Sequence, residues 1–337
     1  MKRVLVTGGG GFVGGAVVRA CLDAGLEVRS LSRSAQPALD ALGVEHRAVD
    51  LAEGGAALRD ALEGVDTVFH VAAKTGVWGP RKEFFRANVL GTRQLLAAAR
   101  ERAVERLIFT SSPSVCFDGR DHRRAGNELA RATQFNCAYP ETKALSEEEA
   151  LAADSPGGLR TIALRPHLVV GPGDPHLVPR LVERARAGRL AIVGDGENEV
   201  SITDVENAAH AHLCAARALE EGRPCAGRAY FVSNADPVRL WAWIAEILDA
   251  LEVPPVRRRV SRGLARRAGG ALELLWRGLF LPGEPPMTRF VADQLATSHS
   301  YDLAPLQADL GYEERISTAD STRRIIANWR AEHAAAR

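Results

Sequence analysis

The 337-residue chain carries a formal net charge of +1, with 46% hydrophobic and 25% charged residues. That is the profile of an ordinary globular protein, long enough for one large α/β unit with an added lobe. The near-neutral balance excludes a global field that gathers nucleic acid, so no nucleic-acid partner is expected. The five dispersed cysteines (Cys21, Cys116, Cys137, Cys214 and Cys225) form no CxxC pair, which argues against a disulfide framework or a structural zinc. No apolar run reaches the ~18 residues that a membrane span needs, so a cytoplasmic protein is expected.

Residues 4–6 read as a strand, so no leader peptide is expected. The strand runs into a glycine-rich stretch holding the spacing Gly8-x-x-Gly11-x-x-Gly14, followed by a helical pattern over 13–24. One glycine permits a tight turn, one lets backbone approach a pyrophosphate, and one lets the helix pack on the strand. With Phe12 and Val13 opening the helix, its free N–H groups would face the phosphates. A dinucleotide site is predicted here. The second strand, 27–31, ends at Ser32 and Arg33 with no carboxylate to bond a ribose 2′-OH. A hydroxyl and a cation suit a 2′-phosphate, so NADP(H) is favoured over NAD(H).

Asp50 and Leu51 follow the third strand and are placed beside the adenine. The fourth strand, 67–71, leads into Ala72, Ala73 and Lys74 at the carboxyl edge of the sheet, where small side chains leave room for a cofactor. His70 is read as a packed residue with no catalytic role. A helix is predicted over 84–100, and Asn88 within it is a poor helix former, which points to a polar role such as holding a lysine through water. The fifth strand, 107–110, closes on Ser111, Ser112 and Ser114. Ser112 is the first choice to orient a substrate oxygen, Ser114 the second and Ser111 the third.

A helix is predicted over 139–152, with Tyr139 and Lys143 four apart on one face. A phenol titrates near 10, too high for easy proton exchange at neutral pH, and a nearby ammonium is expected to lower it. The pair is the predicted proton donor and acceptor for a carbonyl/alcohol interconversion. After a strand at 161–164 and Pro166, prolines and glycines cluster, and helices return at 177–187, 205–219 and 240–251. His210 and His212, two apart in a helix, point to different faces, so no metal site is assigned. The fold class predicted is α/β: a Rossmann-type doubly wound parallel sheet with a smaller C-terminal substrate-binding lobe. Residues 1–165 would form the dinucleotide domain, with a return contribution from about 200–234. Residues 166–199 and 235–337 would form the lobe.

The ordered set Thr7-Gly8-x-x-Gly11-Phe12-x-Gly14, Asp50-Leu51, His70-x-Ala72-Ala73, Asn88-Val89-x-Gly91-Thr92, Ser111-Ser112, Tyr139-x-x-x-Lys143 and Arg165-Pro166 resembles the extended short-chain dehydrogenase/reductases over nearly the whole chain. The resemblance implies that Tyr139 is the general acid/base. It implies that Lys143 binds the nicotinamide ribose and tunes Tyr139, that Ser112 orients the substrate oxygen, and that the stretch after Pro166 lies beside the nicotinamide. The stretches Ala72-Ala73-Lys74-x-Gly76-x-Trp78-Gly79, Leu177-Val178-Pro179-Arg180 and Gly283-Glu284-Pro285-Pro286-Met287 are similar to the 3β-hydroxysteroid dehydrogenase branch. Within that branch they resemble the 2-alkyl-3-oxoalkanoate reductases of bacterial olefin biosynthesis. This implies NADPH-dependent reduction of a long-chain 2-alkyl-3-oxo acid to the 3-hydroxy acid, with an apolar small-molecule substrate and a homodimeric assembly.

Three rival readings remain: a 3β-hydroxysteroid or sterol dehydrogenase, a nucleotide-sugar epimerase or dehydratase, and a non-catalytic dinucleotide-binding sensor or assembly subunit. In the C-terminal part, a basic run from Arg257 to Arg267 leads into a helical stripe of Leu264, Ala268, Ala271, Leu272, Leu275 and Leu279. It is read either as a core-packing helix with a solvated basic face or as a lid that touches a membrane surface or pathway enzyme at the inner membrane face.

Overall fold

Along the first strand Val4 and Val6 enter one hydrophobic core while Leu5 enters another, so this strand has no wet face. The computed structural model describes residues 1–334. In it, strands β1 (Arg3–Thr7), β2 (Glu27–Ser32), β3 (Glu45–Ala48), β4 (Thr67–His70), β5 (Arg106–Thr110), β6 (Arg160–Pro166) and β7 (Ala229–Val232) form one sheet. The order is β3-β2-β1-β4-β5-β6-β7, and every neighbouring pair is parallel. Helices α1 (Phe12–Asp23) and α4 (Val205–Glu220) cover one face. Helices α2 (Gly91–Glu101) and α3 (Ala138–Ala152) cover the other. The predicted doubly wound α/β fold is the one observed. The strand order reverses between β1 and β4, and the crevice at their carboxyl ends is where such sheets bind ligands.

The glycine loop shows why the turn there tolerates no side chain. Gly8 has φ +73°, and a Cβ on it would lie 3.0 Å from the Ala72 backbone. A Cβ on Gly14 would lie 2.0 Å from the Gly8 carbonyl oxygen, so α1 crosses β1 at a distance only glycine permits. The predicted helix over 84–100 is divided: Arg81–Phe84 is α-helical, Phe85–Leu90 is π-helical, and α2 follows. Such bulges widen the turn and present a side chain that a regular helix would not. Asn88 lies buried within this π-helical stretch.

β7 and α4 come from the segment after residue 200 and complete the sheet. A third core, including Val178, Leu181, Trp241, Trp243, Ile244 and Ala292, holds the C-terminal helices α5 (Leu240–Ala250), α6 (Arg262–Gly278) and α7 (Arg289–Ala296). A four-stranded sheet beside it pairs His122–Ala125, from the first half of the chain, with His299–Tyr301. The core-packing reading of the stripe on α6 is overturned. Of its members Leu264, Ala268, Ala271, Leu275 and Leu279 are exposed and Leu272 is half-buried, while the helix presents Ala265, Gly269 and Glu273 to the interior.

Gly14→Ala is expected to destabilise the protein by roughly 1–3 kcal/mol in urea denaturation, and to weaken dinucleotide binding in a fluorescence titration. Unchanged values in both would mean that the β1–α1 turn has slack.

Candidate active site

The carboxyl ends of β1 and β4 are joined by a chain of neutral hydrogen bonds. The Ala72 amide donates to Thr7 Oγ1 (3.0 Å), which pairs with His70 Nδ1 (2.8 Å). His70 Nε2 meets Thr92 Oγ1 (2.9 Å), whose hydroxyl donates to the Asn88 carbonyl (2.6 Å). Burial, helped by Lys143, pushes His70 down to about 3, so it stays neutral and serves as a strut. Asn88 is 2% exposed. Its Oδ1 accepts from the Lys74 amide (2.7 Å), and its Nδ2 donates to the Lys74 carbonyl (3.1 Å) and to Thr142 Oγ1 (3.0 Å). Asn88 therefore grips the loop after β4 and the residue before Lys143 directly.

The N-terminus of α1 is capped by Gly11 with no side-chain hydrogen bond, which leaves its amides for an anion. Arg33 is exposed and makes no ion pair or hydrogen bond among the described residues. Ser32 ends β2, as expected. Its hydroxyl donates to the Ser34 carbonyl (2.9 Å) and lies 3.3 Å from His46 Nε2. Asp50 caps the short helix Leu51–Glu53 through the Ala52 amide (3.0 Å) and pairs with Arg86 (2.7 Å). Burial acts to raise its carboxyl, but these bonds outweigh it and hold the group below the usual carboxylate range. Leu51 is buried beneath. Phe12 and Val13 are half-buried at the start of α1, Ala72, Ala73 and Lys74 are half-buried at the crevice, and Pro166 is buried at the end of β6.

Tyr139 and Lys143 occupy the first turns of α3. Lys143 is 2% exposed. Its ammonium donates to the Thr110 carbonyl and lies 4.0 Å from the centre of the Phe109 ring. Burial pulls it from 10.5 down to about 7, against the opposing pull of Glu147. An ammonium has three donors and this one has a single protein acceptor, so it fits a ligand hydroxyl pair such as a ribose. Thr110 is itself fixed by His212 Nε2 (2.7 Å). The expected lowering of Tyr139 is not found. Burial pushes its phenol up to about 12, a hydrogen bond with Ser112 acts downward and Cys137 upward, and Lys143 is not among the groups that shift it. The lysine is itself desolvated and turned toward Thr110, so it leaves the phenol's proton in place.

The three serines separate cleanly. Ser111 donates to buried Glu147 Oε2 (2.6 Å) and is held away from any substrate. Ser114 donates to Ser112 Oγ (3.0 Å), and Ser112 faces Tyr139. Glu147 was missed by the sequence reading. It is fully buried, one turn beyond Lys143, and forms a two-pronged pair with Arg165 (2.8 and 2.6 Å). Its spacing, eight from Tyr139 and four from Lys143, was the available signal.

Ser112 and Tyr139 open onto a cavity of about 200 Å³, also lined by Phe117, His167, Phe290 and Gln294. His167 Nε2 is buried without a partner, and burial, then His122, pushes the ring down to about 4. Among the described residues the lining includes no arginine or lysine. A larger cavity, about 380 Å³, lies between α4 and residues 310–315 and contains none of these groups.

A family model described as the 3-beta hydroxysteroid dehydrogenase/isomerase family matches residues 5–260. The chain belongs to this family. It is accordingly an NAD(P)-dependent oxidoreductase. A relative named 2-alkyl-3-oxoalkanoate reductase, from Stenotrophomonas maltophilia, is 44% identical over 97% of this chain and 99% of its own. The human sterol-4-alpha-carboxylate 3-dehydrogenase, decarboxylating, is 32% identical over 98% of this chain and 88% of its own. The solved structure of MoeE5 in complex with UDP-glucose and NAD superposes with a TM-score of 0.75 at 25% identity, covering 98% of this chain and 99% of that one. No helix among the described residues is long and apolar enough to cross a membrane.

The buried lysine predicts a pH signature. Below about 7 the folded and unfolded chains both carry the ammonium, and the folded one bears the cost of burying it. Between about 7 and the ordinary 10.5 only the unfolded chain keeps the proton, so stability rises with pH by up to about 1.4 kcal/mol per unit. Lys143→Met is therefore expected to be more stable than wild type in ligand-free denaturation at pH 6, by a margin that shrinks from pH 7 upward. A constant margin would contradict the assignment.

Proposed function

We propose that this protein reduces the 3-keto group of a long-chain 2-alkyl-3-oxo acid to the 3-hydroxy acid, using NADPH. The observation that carries the reading is the pairing of the Ser112 hydroxyl and the Tyr139 phenol at one cavity wall, with Lys143 one turn further along α3. The dinucleotide, when bound, supplies the hydride. The protein's part is to hold the ketone and give it a proton. Ser112 accepts from Ser114 and is hydrogen-bonded with Tyr139, and with substrate bound both hydroxyls would turn their hydrogens to the ketone oxygen. Tyr139, at about 12, keeps its proton at neutral pH and is poised as an acid, which suits reduction better than the reverse oxidation. Lys143 would grip the ribose with the donors that Thr110 leaves free, and proton supply would follow from its pKa of about 7. The Gly8, Gly11 and Gly14 turn with Phe12 and Val13 would receive the pyrophosphate, and Arg33 the 2′-phosphate. Asp50 and Leu51 would border the adenine. Ala72, Ala73, Lys74 and Pro166 would flank the cofactor, and Asn88 would position Lys74 and the Lys143 turn.

The cavity wall supports a largely apolar environment for a keto group over the diphosphate of a nucleotide sugar. A diphosphate calls for arginine or lysine, and the lining offers only neutral donors such as His167 and Gln294. The relative from Stenotrophomonas maltophilia supports the same substrate class.

Tyr139→Phe is expected to lower kcat by roughly 10²–10⁴-fold in an NADPH-oxidation assay with a 2-alkyl-3-oxo acid, leaving cofactor affinity unchanged. Retained activity would remove Tyr139 from the mechanism. A panel adding 3-ketosteroids and nucleotide sugars tests the substrate class, and preference for either would overturn it. Arg33→Ala is expected to reduce kcat/KM for NADPH at least about tenfold, the loss of one charge-assisted contact, and to leave NADH turnover unchanged. A wild-type preference for NADH would contradict the cofactor assignment.

A further inference from the structure

Helix α6 is packed inside out. An ordinary surface helix turns apolar residues to the core and charges to water. Among the buried residues of α6 Ala265 joins an apolar core, and the other inward contacts are polar or tight. Glu273 accepts from the Arg289 amide (2.7 Å) and Nε (2.9 Å), while Arg262 (2.9 Å) and Arg266 (2.7 Å) close on the buried Asp293. A Cβ on Gly269 would lie 2.6 Å from the Thr288 backbone. The outward stripe of Leu264, Ala268, Ala271 and Leu275 is exposed. Leu264 is 58% exposed, Leu274 73%, Leu279 63% and Phe280 91%.

The charge on this segment is equally one-sided. Residues 254–281 hold seven arginines (257, 258, 259, 262, 266, 267 and 277) and one acidic residue, Glu273, in a chain of net charge +1. Glu273 is buried and paired with Arg289. Arg257, Arg258 and Arg267 are exposed and have no ion pair among the described residues.

We propose that α6 and the turn after it are a docking face for an anionic lipid surface. Leu264, Leu274, Leu275, Leu279 and Phe280 would enter the headgroup boundary, and Arg257, Arg258 and Arg267 would meet lipid phosphates. The charge selects this occupant. A second copy would bring the same arginines onto themselves across a two-fold axis, whereas an anionic bilayer is both apolar and negative. The face also lies one helix from the cavity. α7, which packs on α6, contributes Phe290 and Gln294 to the cavity wall. Arg277 sits 5.1 Å from the centre of the Trp78 ring, next to Gly76 and Val77 of the same cavity. If the reductase reading holds, docking would bring a lipid source of long-chain substrate to within one helix of the wall that bears Tyr139. The docking itself does not depend on that reading.

The test is co-sedimentation of the full chain, without substrate, with vesicles of phosphatidylcholine alone or mixed with phosphatidylglycerol. Wild type is expected to bind the mixed vesicles at least about tenfold more tightly, and to release at about 1 M salt, where screening shrinks to about 3 Å. Leu274→Ser combined with Phe280→Ser, and separately Arg257→Glu with Arg258→Glu and Arg267→Glu, are each expected to lower binding at least about tenfold with an unchanged Tm. Absence of binding to the mixed vesicles overturns the proposal, as do variants that bind like wild type. Loss of an oligomer in the serine double variant, seen by light scattering with no vesicle binding, would assign the face to a second copy and also overturn it. Turnover of a short, soluble 3-oxo acid is measured in parallel, so failure of docking is separable from failure of the reductase reading.

Discussion

A buried carboxylate, Glu147, holds the chemical end of the molecule together. It sits fully inside α3 and takes the Ser111 hydroxyl at the end of β5 and the Arg165 guanidinium on β6. One side chain thus ties the helix bearing Tyr139 and Lys143 to the two strands whose ends form the site. A buried ion pair adds little net stability compared with a well-packed apolar core, so its value here lies in geometry. Arg165 also lies 5.1 Å from the centre of the Phe231 ring, and Phe231 stacks on Tyr301 at the cavity wall. The same pair that seats α3 therefore reaches the substrate side.

Around this pair, polar groups are neutral struts and few charges are left free. His70 and His212 are both buried, pushed well below 6.5 by burial, and bonded to hydroxyls at strand ends. They fix Thr7 and Thr110 without adding charge beside the cofactor crevice. The exception is Lys143, which is buried with one acceptor. An unmet ammonium in such a place is costly without a partner, and its retention follows naturally from a ligand that completes its bonds.

The parts of this arrangement that depend on local spacing were legible in the sequence. The Gly8, Gly11 and Gly14 turn, the strand–helix alternation and the Tyr139–Lys143 step are all set within a few residues. Glu147 and Arg165 meet across 18 positions, and the cavity joins Ser112 to Phe290 and Tyr301, so neither pattern is carried by periodicity. Periodicity also does not say which way a stripe faces. The spacing on α6 marked an apolar face correctly, but buried carboxylates at Glu273 and Asp293 turned that face outward. The tyrosine's pKa has a related cause: spacing along a helix does not reveal that burial raises the phenol while the desolvated lysine does not act on it.

In the proposed reaction, a proton-bearing phenol with a serine beside it would give a proton to a ketone held at the cavity wall. The family also contains a relative named as a decarboxylating dehydrogenase, so the fate of the acid carbon is the sharpest distinction available. Turnover of a 2-alkyl-3-oxo acid with cofactor deuterated at the transferable position, followed by mass spectrometry, measures it directly. The account predicts a 3-hydroxy acid that keeps its carboxyl carbon and carries one deuterium at carbon 3. A decarboxylated ketone without deuterium would contradict it.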